Sequence, residues 1–167
     1  MNICDVIESA VSYDRGDPKR INHFMKVYAF AGLIGRKEGI SDRELNILEA
    51  AAVLHDIGIH NAEMLHGSSD GKYQELEGPG VAADILSAFG ADDEFIGKVC
   101  NMVGRHHTYT GIDSLSLQIL IEADFLVNIF EDGMSDGAIS SVKEKIFRTA
   151  EGTRLLEELY EEKYHQL

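Results

Sequence analysis

The chemical question is set by His23, the adjacent pair His55-Asp56, and Asp124. Further candidates are His106-His107 at the end of a helical pattern and Glu77, which precedes Gly78-Pro79-Gly80. Imidazoles and carboxylates together suit divalent first-row metals that keep open water positions. No cysteine adjoins them, which argues against a thiolate-type structural zinc site. Taken singly, each residue also has an ordinary structural use. His23 lies between Ile21 and Phe24, as a satisfied core histidine would. Asp124 sits in the apolar run LIEADFLVNIF, where a paired carboxylate would serve. His106-His107 reads equally as a polar helix terminus.

The elements that must position these residues are helical. His55-Asp56 follows Ala50-Ala51-Ala52-Val53-Leu54, an apolar run that should be buried. A carboxylate at the end of a buried helix needs partners. Adjacent helical residues point roughly 100° apart, so the pair converges if the helix ends there, and Gly58 is a plausible stop. Periodicity predicts helices over 1–13, 18–36, 73–89, 92–106, 114–130, 135–147 and 153–164, besides the one that Ser41 and Glu44 open as a capping box. Gly67, Ser68, Ser69 and Gly71 mark a loop. No stretch alternates as a strand would. The expected fold class is all-α, one compact domain of seven or eight helices over residues 1–167.

Composition narrows the function. The net charge is -14, from 29 acidic and 15 basic residues. Such a surface repels polyanions, so stable nucleic-acid binding is not expected. A small anionic substrate remains compatible if a metal or a few cations reverse the potential within one cleft. Two cysteines, Cys4 and Cys100, make no disulfide framework. The longest uncharged apolar stretch, near Tyr28 to Gly35, is too short for a membrane span. Acids stand near the N-terminus where a signal peptide has basic residues, so the expected location is the cytoplasm.

The order His23, His55-Asp56, Asp124 resembles the HD-domain superfamily of metal-dependent phosphohydrolases. Arg20-x-x-His23-x-x-Lys26-Val27, LHDIG at 54–58 and EADFLVN at 122–128 resemble its motifs, and the likeness spans about residues 20–128. It implies an all-α fold with the metal among the core helices. His23, His55, Asp56 and Asp124 would bind a first divalent ion, whether Mn, Fe, Ni, Co, Mg or Zn. In binuclear relatives Asp56 would bridge to a second ion. His106 and His107 match one further ligand position, and Glu77 stands where relatives often carry histidine.

The leading expectation is a phosphohydrolase acting on a nucleotide or another small phosphate ester through metal-activated water. Asp56, His106, Arg105 and Lys72 would act at the substrate, with Arg105 or Lys72 offsetting developing charge. Arg20 and Lys26 are further cations near the motifs. His60 and His66 read first as surface residues, and Asn128 lies one turn after Asp124, placed to orient it. Two alternatives belong to other classes: a di-iron oxygenase on the same scaffold, and a non-catalytic nucleotide-binding regulatory domain. Pairing into a homodimer is common among small α domains.

Overall fold

The computed structural model describes residues 2–161. They form α1 (Ile3–Tyr13), α2 (Pro18–Lys37), α3 (Asp42–Leu54), α4 (Ile59–His66), α5 (Gly71–Ala88), α6 (Asp93–Val103), α7 (Leu115–Glu131), α8 (Asp136–Ile146) and α9 (Ala150–Leu156), closed by a π-helical turn at Glu157–Glu161. The described residues contain no strand, and none of their helices is long and apolar enough to cross a membrane. The all-α expectation holds.

Side-chain caps fix most helix starts. Asn2, Asp17, Ser41, Asp92, Ser114, Ser135 and Thr149 each accept a backbone N–H from the following first turn. The expected capping box at Ser41 is only half formed. Ser41 accepts from the Glu44 N–H at 3.3 Å, but the Glu44 carboxylate leaves for Lys98 and for Ser116 Oγ, 3.2 Å away.

The core forms where α2 lies against α3 and α7, and α3 reaches α6. Ala50 to Leu54 is buried throughout, and α7 is buried at nearly every position from Ser116 to Ile129. Glu122 lies inside this core with no exposure. Its carboxylate accepts from Gln118 Nε2 and from the backbone N–H groups of Arg148 and Thr149, at 2.6–3.0 Å. The Thr149 hydroxyl donates to it as well. One buried carboxylate therefore pins the start of α9 to α7.

Several local readings change. α4 occupies residues 59–66, which none of the expected helices covers. Only Ala62 in it is buried, while Met64 and Leu65 are exposed, so it lacks the apolar stripe that marks a helix in sequence. α3 ends at Leu54, and His55 to Gly58 form a turn rather than a last helical turn. α6 ends at Val103, so His106-His107 lies in the turn beyond it. α5 continues through Gly78-Pro79-Gly80 to Ala88, in keeping with the expected 73–89 helix. α9 begins before Thr153, and residues 162–164 of the expected last helix lie outside the described ones. At the C-terminal turn Glu157 and Glu161 both pair with Lys143, at 2.8 and 2.7 Å, which offsets their mutual repulsion.

Candidate metal centre

Four elements bring the cluster together: His23 from the middle of α2, His55 and Asp56 from the turn after α3, Asp124 from the middle of α7, and His106-His107 from the turn after α6. The turn after α3 is set by a close backbone approach. A Cβ on Gly58 would lie 2.6 Å from the Gly78 nitrogen and 2.7 Å from the Gln74 carbonyl oxygen, so only glycine admits α5 this near the dyad.

His55 Nδ1 lies 2.9 Å from the Ala52 carbonyl and His106 Nδ1 lies 2.8 Å from the Val103 carbonyl. A carbonyl only accepts, so both rings carry the Nδ1 proton and present a lone pair at Nε2. His23 Nδ1 meets the Glu131 carboxylate at 2.9 Å, with the same result. His23 Nε2 then lies 3.2 Å from His55 Nε2, 3.2 Å from Asp124 Oδ1 and 3.5 Å from Asp56 Oδ2. His106 Nε2 lies 3.4 Å from Asp56 Oδ1, is buried, and has no hydrogen-bond partner among the described residues. Acceptors thus converge on acceptors, and a cation satisfies them where no hydrogen bond does.

Electrostatics agree. Burial alone would raise the pKa of Asp56, but His55 and His106 hold it well below the ordinary carboxylate range. Burial acts likewise on Asp124, and the neighbouring His23 and His55 bring it down. Burial and the neighbouring His106 depress His107 to about 4, so its ring is neutral at pH 7.

Two ligand groups result, each with its donor atoms within 4.8 Å of one another: His23, His55 and Asp56, and Asp56, His106 and His107. Asp56 belongs to both. Asp124 joins the first through the distances above, and Asn128 Nδ2 donates to Asp124 Oδ1 at 2.9 Å, orienting that carboxylate. The donor set is oxygen and nitrogen without sulfur, which fits a divalent first-row ion.

Glu77 belongs to neither group. It accepts from His66 Nε2 at 2.8 Å, and the His66 ring stacks on Tyr73 at 4.3 Å. The helix phase of α5 instead turns Gln74 and Glu75 toward the histidine pair. His107 Nε2 lies 3.2 Å from Gln74 Oε1, and Glu75 accepts from the His107 N–H and the Thr108 hydroxyl. Arg105 is held away from the cluster by Asp113 at 2.8 Å and the Gly111 carbonyl at 2.6 Å. Lys72 lies in the first turn of α5, over the Tyr73 ring, rather than in a mobile loop. Lys26 pairs with Glu131.

Glu131 went unnoticed in the sequence because it reads as a charge at a helix end. The signal was its spacing, since Asp124, Asn128 and Glu131 form an i, i+4, i+7 stripe on α7. Tyr109 was missed as well. It packs on Phe125, and burial together with the charges of Asp124, Glu75 and Asp56 pushes its hydroxyl up to about 12.

An open cleft of about 300 Å³ reaches the cluster and is lined by Asp17, Lys19, Arg20, Glu63, Gln74 and Glu131 besides His23 and Asp56. An all-helical domain with this ordered His, His-Asp, Asp set defines a class, and comparison bears on it directly. The HD domain family matches residues 20–129. The chain belongs to that family, whose members bind divalent metals. The crystal structure of a predicted HD superfamily hydrolase from an uncultured Thermotogales bacterium is similar, with a TM-score of 0.65 and 28% identity. The match covers 95% of this chain and 83% of that one. No curated protein matches significantly. These findings support a hydrolase of the general HD type.

Proposed function

We propose that the protein is a metal-dependent phosphohydrolase acting on a nucleotide or another small phosphate ester. The observation that carries this reading is the convergence of the His23, His55 and His106 lone pairs on the Asp56 and Asp124 carboxylates at the end of an open cleft. His23, His55, Asp56 and Asp124 would hold one divalent ion, with His106 and His107 offering positions for a second. When bound, such an ion supplies Lewis acidity and a water acidified toward a pKa of ~7.

The chain's own groups do the rest. Glu131 keeps the His23 proton at Nδ1, and the carbonyls of Ala52 and Val103 keep those of His55 and His106 there. Asn128 fixes the Asp124 carboxylate. The cleft volume suits a phosphate group with a small organic part. Turnover of p-nitrophenyl phosphate and of nucleoside monophosphates by metal-loaded protein tests the reading. Asp56→Ala should abolish turnover with the helical circular dichroism unchanged, and undiminished turnover would refute it.

The sharing of Asp56 by two groups supports a second reading, a di-iron oxygenase. Oxygen uptake by iron-loaded protein given polyols or phosphonates distinguishes it from hydrolysis.

A further inference from the structure

We propose that Arg20 receives the anionic group of the substrate, and that the Glu63 carboxylate occupies its place in the free protein and is displaced on binding. The inference deepens the phosphohydrolase reading and takes the identity of the anion from it.

The cleft has two lining cations, Lys19 and Arg20. Lys19 is exposed, whereas Arg20 is held from several sides. Its Nη1 donates to His60 Nδ1 at 2.9 Å, and His60 Nε2 lies 2.9 Å from Asp14 Oδ1. Asp14 is buried, so this short chain of contacts anchors the guanidinium from behind. Asp17 lies 3.4 Å from Nε and is committed to the α2 cap through the Arg20 N–H. Glu63 accepts from Nη2 at 2.7 Å.

These partners are not equivalent. Asp14 and Asp17 have structural duties, while Glu63 has none besides the ion pair. The Arg20 side chain is 19% exposed and that of Glu63 is 48% exposed. An exposed carboxylate on a long side chain leaves such a pair at little cost. A guanidinium already fixed in place then offers the planar fork that suits phosphate. Glu63 belongs to α4, which has a single buried residue, so its departure disturbs little packing.

Calorimetric titration of inorganic phosphate into manganese-loaded protein tests this. Arg20→Gln should weaken phosphate binding by about tenfold or more, the range for one lost charge-assisted hydrogen bond. Glu63→Gln should tighten it severalfold, because the competing carboxylate charge is gone. Manganese content should be unchanged in both. A purely structural clamp predicts the opposite sign for Glu63→Gln, so unchanged or weaker binding there overturns the proposal even if Arg20→Gln fails to fold. Absence of phosphate binding by the wild type overturns it too. Failure of the phosphohydrolase reading would show separately, as absent turnover with the phosphate affinities still ordered as stated.

Discussion

The Nε2 atoms of His23 and His55 face one another at 3.2 Å while each ring spends its other nitrogen elsewhere. Two lone pairs at that distance require a proton or a metal between them. In metal-stripped protein the proton takes the place. Burial opposes a charged ring, but Asp124, Asp56 and Glu131 raise the His23 pKa from 6.5 to about 9. A histidine raised in the folded state binds its proton more tightly there. Its stabilising contribution is complete below 6.5 and is lost as pH rises through about 9. Thermal unfolding of the metal-stripped protein should therefore show a midpoint falling across that window, and His23→Gln should lessen the slope, with His55, which Asp56 and Asp124 also raise, keeping the remainder. A flat wild-type profile would contradict the assignment.

Asp56 belongs to both ligand groups, whereas His107 belongs to one. Elemental analysis should find Asp56→Asn metal-free, with His107→Gln keeping the ion held by His23, His55 and Asp124. Equal loss in both variants would mean that the two groups do not act as separate sites.

Glu131 touches His23 from outside the ligand set. Removing such a partner costs roughly 10–100-fold in metal affinity. Glu131→Gln should show this in a chelator competition titration, with the fold intact. Unaltered affinity would reduce the contact to a surface ion pair shared with Lys26.

The close approach at Gly58 makes a steric prediction. A methyl group there meets backbone atoms of α5, which cannot swing aside as a flexible side chain would. Gly58→Ala should cost about 1–3 kcal/mol by overpacking. It should also lower metal affinity, because the dyad sits in the same turn. Urea denaturation with and without manganese measures both effects.

Glu122 gives a stability prediction away from the site. Glu122→Ala would strand the N–H groups of Arg148 and Thr149 in the core. The expected loss is ~3 kcal/mol, within the usual cost of unsatisfied buried donors. The denaturant midpoint should fall, with metal content per folded molecule unchanged.

The sequence showed most of the helical framework because its helices have apolar stripes and clear caps. It did not show α4, whose residues IHNAEMLH present no continuous buried face. Asp124 stood out as an acid within an apolar run, while Glu131, on the same face, lay beyond the end of that run. Glu77 drew attention through its place before Gly78-Pro79-Gly80. A break there would have freed its direction, but α5 runs on, and helical phase sends Glu77 to His66 and Gln74 to His107. Arg105 shows a further limit. Its position beside His106 is visible in the sequence, but its capture by Asp113 depends on the path of the 104–114 segment. Ligand order along the chain was legible; side-chain direction beyond helix ends was not.

α7 and α4 form opposite kinds of wall around one cleft. A substitution along α7 strikes the hydrophobic interior and the Asp124 ligand together, so few changes there are survivable. α4 contributes Ile59 and Glu63 to the cleft, and Ala62 is its one buried residue. Its exposed positions are free to vary without unfolding the domain. With Glu63 in its proposed place opposite the substrate anion, selection on substrate choice and selection on folding would act on separate helices, and a new specificity would arise by drift in α4 while the α7 wall stayed unchanged.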